Sequence, residues 1–284
     1  MDRVIFGDNQ FFAVNHMSDE KSRAQAMRFK DTKAVMDVLD IVYDLGIHTF
    51  MCTTHDRIAE VCDFIRADKQ RYKDFKIYPC MPYAHKYANA VTELGIIGTL
   101  KRFIPGSILG TVARGGMAVA RQDFISMMKL LVDAEMTMFK GLDTEVIFLQ
   151  NVVTDLLLGL GMKDFFVAFT EHVKEKYGAE AGFITMNMPL LLDKLEECGI
   201  ENPIICSSIN KIGFRMSGGK HLYEKVIQER NFRPIAMQVL AAGSISPHEA
   251  IEYVGAQKRI QSILFGASTG AHIKQTKELI ESMR

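Results

Sequence analysis

The stretch PIAMQVLAAGSISPHEAIEYVGAQKRIQSILFGASTGAHIKQTKELI, from Pro234 to Ile280, holds two short apolar runs, Ile235 to Leu240 and Ile260 to Phe265. Each stops at a cluster of small residues, Ala242-Gly243-Ser244 and Gly266-Ala267-Ser268-Thr269, and each is followed by a helical pattern. Strand, glycine turn and helix are thus written twice in succession. Small residues at such a turn leave backbone N–H groups open to a ligand at a helix start, where the peptide dipoles favour an anion. Gly243, Ser244, Gly266, Ala267, Ser268 and Thr269 are therefore the candidate residues for a phosphate or a cofactor's phosphate.

Six further units of the same kind precede these two. Strands are expected at Val4 to Phe6, Ile47 to Cys52, Phe75 to Met81, Glu145 to Leu149, Gly182 to Met186 and Pro203 to Cys206. Amphipathic helices follow them, the clearest being the one opened by Asp31, with Val35, Val38, Leu39 and Val42 on one face, and 162–177, with Phe165, Phe166, Phe169 and Val173. Eight alternating units in 284 residues predict one α/β domain spanning 1–284, a (β/α)₈ TIM barrel. The alternation breaks only after the third strand. There LGIIGTLKRFIPGSILGTVARGG, inside a segment of 94–122, is Gly-rich and apolar and reads as an insertion that covers the barrel mouth or meets another subunit. An amphipathic helix resumes at 123–139.

Composition bounds the function. Lys and Arg together count 34, as do Asp and Glu, so no bulk charge points to nucleic acid or an anionic membrane. No apolar run reaches a membrane span, and the acidic start MDRVIFGDNQ does not resemble a signal peptide. Five cysteines, odd in number and without a C-x-x-C pair, fit free thiols in a reducing compartment, so a cytoplasmic location is expected. The expected partner is a small molecule, phosphorylated or carbonyl-bearing, with a homo-oligomer as an option the insertion leaves open.

In such barrels chemistry sits at the C-terminal ends of the strands. The first half of the chain places titratable groups there: Asp8, His55, Asp56, Tyr83, His85 and Lys86 are the candidate proton-transfer residues. A neighbouring cation would lower the Tyr83 phenol, and an imidazole titrates near neutrality. The second half places amides and hydroxyls there, and with Asn9 and Gln10 the candidate substrate contacts are Gln150, Asn151, Asn187, Ser207 and Asn210. Asp8, His55 and His85 would also suit a divalent metal, although no local ligand spacing supports one. Lys211 after the sixth strand is a candidate Schiff-base lysine.

From Glu145 onward the order of features resembles the aldo/keto reductases. VIFLQNVVTDLLLGLGMKDFFVAFTEHVKEKYGAEAGFITMN is similar to that family's fourth strand, helix and fifth strand. LLLDKLEECGIENPIICSSINKIGFR is similar to the next helix and strand, AAGSISPHEAIEYVGAQKRIQSILFGASTGAHIKQT to the final cofactor-binding unit, and GIHTFMCTTHDRIAEVCDFI to the second strand. The likeness covers roughly two thirds of the chain and implies an aldo/keto-reductase-like barrel and NADP(H) as cofactor. The family's Asp, Tyr, Lys and His tetrad is not retained. Met51 stands at the Asp position, Asp56 at or beside the Tyr, Cys80-Met81 where the lysine belongs, and Gln150 or Asn151 for the His; Ala271 and Thr276 replace the groups that grip adenine. The sequence thus leaves three readings: a phosphate-binding enzyme of carbonyl or enol proton transfer, an NADP-dependent oxidoreductase with a rearranged catalytic set, and a non-catalytic barrel that binds a partner protein.

Overall fold

A computed structural model describes residues 1–12, 19–83 and 124–283. Eight parallel strands close on themselves in chain order, with β1 paired to both β2 and β8. They are β1 (Val4–Gly7), β2 (Thr49–Thr53), β3 (Lys76–Met81), β4 (Val146–Leu149), β5 (Glu180–Thr185), β6 (Ile204–Ser208), β7 (Arg233–Met237) and β8 (Ser262–Phe265).

The strands read as nearly continuous apolar runs because both of their faces are covered. Alternate residues serve two cores. Ile5, Met51, Tyr78, Cys80, Val146, Phe148, Ile184, Ile204, Cys206 and Ile235 fill the barrel interior. Their neighbours Phe6, Phe50, Ile77, Ile147, Phe183, Ile205, Ala236 and Ile263 face outward and join the core formed with the helices. Gly182 is small for a reason visible here: a Cβ at that position would lie 2.3 Å from Phe148 Cε1, so the phenyl ring fills the space above it.

The helices are α1 (Asp19–Arg28), α2 (Thr32–Asp44), α3 (Asp56–Ala67), α4 (124–136), α5 (Asn151–Gly159), α6 (Asp164–Tyr177), α7 (Met188–Glu197), α8 (Lys220–Glu229), α9 (Pro247–Ala256) and α10 (Gly270–Ser282). Side-chain caps fix several starts: Asp31 accepts from Ala34 N at 2.9 Å, Ser246 caps α9 and Thr269 caps α10. Two helices differ from the sequence expectation. The segment 19–28 is mostly polar and shows no apolar stripe, and in NVVTDLLLG at 151–159 the apolar residues fall in two blocks on either side of Thr154-Asp155 and not at helical spacing. The seventh strand is also shorter than expected. It stops at Met237 because Gln238 adopts φ 52°, a left-handed conformation that cannot continue a strand. The expected insertion at 94–122 lies outside the described residues.

Candidate functional site

A cavity of about 480 Å³ opens at the C-terminal ends of the strands, lined by inward-facing strand-end residues and by the loops that follow them. Its wall on the side of β1 and β2 carries Asp8, 6% exposed. Asp8 Oδ2 accepts two hydrogen bonds from Thr53, from the backbone N and from Oγ1, each 2.7 Å. Burial outweighs these bonds and lifts the carboxyl from its ordinary 3.8 to about 6. A carboxyl titrating there can both take and give a proton near neutral pH.

Tyr83, from the loop after β3, also lines the cavity, and its phenol is pushed up by burial and by the negative charge of Asp8. This is opposite to the lowering expected from a neighbouring cation. Lys86 and His85 lie outside the described residues. The ring of His55 stacks on Phe12 at 4.2 Å and meets Tyr83 edge-on at 5.8 Å, so it packs behind two rings that line the cavity. His55 itself is the N-cap of α3, accepting from Arg57 N at 3.0 Å through Nδ1, and it does not line the cavity. Asp56 is exposed in the first turn of that helix, where its charge complements the dipole.

Behind this wall sits Glu135, 2% exposed, from α4. Its carboxylate accepts from Thr54 Oγ1 at 2.6 Å and from Tyr83 N at 3.2 Å, and so ties the loop after β2 to the loop after β3. The helix that carries it is fixed to α6 by Asp133, which bonds His172 at 2.8 Å, Lys176 at 2.7 Å and Tyr177 at 2.6 Å. Sequence reasoning missed Glu135. The signal was a lone acid on the buried stripe of Met128, Val132 and Met136.

Among the expected substrate contacts, Asn9, Gln10, Gln150 and Asn151 line the cavity. Gln10 is 4% exposed, donates to Gly7 O at 2.7 Å and presses against Gly266, where a Cβ would come within 2.1 Å of its Oε1. The other three are held elsewhere. Asn187 caps α7, Ser207 donates to Thr185 O at 2.8 Å, and Asn210 bonds both Phe214 N and Phe214 O at 2.8 Å. Lys211 is exposed and paired with Glu249 at 2.6 Å, which raises its amine, the reverse of what a Schiff-base lysine requires. No group of three or more His, Cys, Asp or Glu side chains among the described residues is arranged to hold a metal.

Of the expected phosphate residues, Gly243 and Gly266 line the cavity, whereas Ser244, Ala267, Ser268 and Thr269 do not. Gly243 lies in a short 3₁₀ turn, Ala241–Gly243, ahead of α9, so it is not at a helix start. Thr269 is occupied as the cap of α10, its Oγ1 3.3 Å from His272 N. An NADP(H) site of the kind the resemblance implies fits poorly. Met51, Cys80 and Gln150 line the cavity at three tetrad positions, Thr276 is 5% exposed with its side chain turned into the protein, and Ala271 has no polar group for adenine.

No protein-family model matches the chain, and no curated protein matches it in sequence. Solved structures do match in fold. An aldo-keto reductase from Bacillus halodurans, in its holo form, aligns with a TM-score of 0.58 over 98% of this chain and 86% of its own, at 12% identity. A thermostable aldo-keto reductase in complex with the inhibitor epalrestat aligns at 0.57 over 99% and 90%, at 12% identity. An aldo-keto reductase from a Medee basin deep-sea metagenome library aligns at 0.55 over 100% and 89%, at 13% identity. With eight parallel strands closed in the same way, the chain has the aldo/keto-reductase-like (β/α)₈ barrel fold.

Proposed function

We propose that the chain is a small-molecule enzyme that moves a proton at a carbon next to a carbonyl, with Asp8 as the acid and base. The observation that carries this reading is the buried Asp8 carboxyl on the cavity wall, raised to about 6 and held by Thr53 through one oxygen. In the ionised form, Asp8 takes the proton from carbon; the C–H electron pair becomes the enolate, and its charge moves to the carbonyl oxygen. In this reading the Tyr83 phenol, which lines the same cavity and is kept protonated by burial and by Asp8, donates to the enolate oxygen. On a substrate with a hydroxyl on that carbon, Asp8 then gives the proton to the former carbonyl carbon, while the hydroxyl releases its own proton to the phenolate left by the donor to the enolate oxygen, and an isomerisation is complete. Gly243, where nothing lies within 4 Å of the place a Cβ would take, leaves backbone open in the cavity for a phosphate on the ligand.

The reading is tested by incubating small hydroxy-carbonyl compounds with the protein in D₂O and following deuterium at the α-carbon by NMR. Exchange catalysed by the wild-type protein and lost in Asp8→Asn supports it; exchange that persists in Asp8→Asn sinks it.

The aldo-keto reductase fold of the matched structures favours a second reading, an NADP-dependent oxidoreductase with Tyr83 as proton donor. Titration with NADPH, followed by cofactor fluorescence, separates the two. Micromolar binding favours the oxidoreductase, and no binding at millimolar cofactor favours proton transfer alone.

A further inference from the structure

The cavity that Asp8 lines is also lined by Arg215, in the loop between β6 and α8. It is the only cation that lines the cavity among the described residues. Asp8 follows β1 and Arg215 follows β6, three strands away around the closed barrel by way of β7 and β8. Arg215 forms no salt bridge or hydrogen bond with any described residue; its guanidinium rests over the Phe214 ring, 5.4 Å from the centroid. An arginine on a cavity wall with no carboxylate partner among the described residues is a ready anion site, because its planar fork matches carboxylate and phosphate oxygens.

The loop that presents it is built. Asn210, 0% exposed, clamps Phe214 through both its N–H and its carbonyl, and Ser217 N donates to Met186 O at 3.0 Å. Between these anchors Arg215 takes φ 54°, a left-handed conformation that a long side chain rarely adopts. Five non-glycine residues among those described have such a backbone, and three of them, Arg215, Gln238 at φ 52° and Ala242 at φ 57°, line this one cavity. Strain of this kind persists where the surrounding structure enforces it and clusters at ligand sites. The same cavity is lined by the amides of Gln150, Asn151 and Gln238, the last accepting from Ser208 Oγ through its oxygen at 2.7 Å, and amides donate and accept as hydroxyl groups do.

We propose that Arg215 is the anion-binding pole of the cavity, so that the substrate is a small hydroxylated carbonyl compound with a phosphate or carboxylate at the end remote from the carbon facing Asp8. The proposal rests on the reading of Asp8 as the proton-transfer group for its orientation, but its test does not depend on turnover.

Isothermal titration calorimetry with two matched pairs, glycerol 3-phosphate against glycerol and lactate against lactamide, measures the preference for an anion and shows which anion is preferred. The wild-type protein is expected to bind at least one anionic probe ten times or more tighter than its neutral partner. Arg215→Asn, which keeps a residue tolerant of the left-handed backbone, should bring the pair within twofold, and Arg215→Lys should restore part of the difference. Wild-type protein that binds neither anion at 50 mM, or Arg215→Asn that keeps the full preference, overturns the proposal. So does a variant that loses NADPH binding while its small-anion affinities are unchanged, since Arg215 would then serve a cofactor phosphate. Asp8→Asn should retain the anion preference, so failure of the proton-transfer reading and failure of this one give different results.

Discussion

Asp8 combines a cost and a use. Burial lifts its carboxyl from 3.8 to about 6, so between those values the folded protein holds a proton that the unfolded chain has released. Its contribution to stability is therefore full below about pH 4 and is lost as pH rises through about 6, a difference of up to about 3 kcal/mol. Asp8→Asn should remove that slope: urea unfolding is expected to show the variant gaining on wild type at pH 7.5 and not at pH 4. No gain at the higher pH would show that the carboxyl is solvated or paired in the folded state. Asp8 was legible in the sequence as a strand-end acid, because the position of β1 alone places it at the mouth. Its raised titration was not, because it comes from packing around the side chain. Asn187, Ser207 and Asn210 show the opposite limit. They are polar groups near strand ends, but capping and loop bonds within the fold engage them, and no sequence pattern separates that use from substrate contact.

At the scale of elements, the wall around Asp8 depends on a helix far from it in the chain. Glu135→Ala leaves the Thr54 hydroxyl and the Tyr83 N–H without the acceptor they now share, and is expected to cost about 2–3 kcal/mol in urea unfolding. Glu135→Gln, which keeps one acceptor oxygen, should cost clearly less; equal losses would mean that the side chain fills space and bonds little. At the cap of α10, Thr269→Ala should cost about 1 kcal/mol and leave the cavity unaltered, because Thr269 does not line it. Most strands and amphipathic helices were readable because burial of one face imposes a period on the residues. α1 and α5 were not, one having no apolar face and the other carrying its apolar residues in two blocks around Thr154 and Asp155.

The whole molecule is a barrel whose interior is packed solid below the cavity. Gly182→Ala drives a methyl into the Phe148 ring and should destabilise the fold by about 1–3 kcal/mol, measurable as a lowered Tm. A variant as stable as wild type would mean that the ring has room to move. Packing also governs the thiols. Cys52, Cys62, Cys80 and Cys206 are buried, and burial raises each of their thiols, whereas Cys198 is only half-buried. Titration of the native protein with a disulfide reagent should therefore show one faster thiol and four that react only on unfolding. Fast reaction of Cys80 would show the cavity to be wider than its walls indicate. Topology was the part of the fold most legible from the sequence, since eight strand-helix units in a row leave few arrangements. The chemistry was the least legible, since the residues at Met51, Cys80 and Gln150 say only which catalytic set is missing.

The measurement that tests the central claim most directly is a ¹³C NMR titration of the Asp8 carboxyl, assigned by comparison with Asp8→Asn. A midpoint near 6 is predicted, with the resonance of Tyr83 shifting over the same range as the charge beside it appears. A midpoint near 4 would mean that the carboxyl is ionised throughout the neutral range and lacks the acid form, and the account of the site would be contradicted.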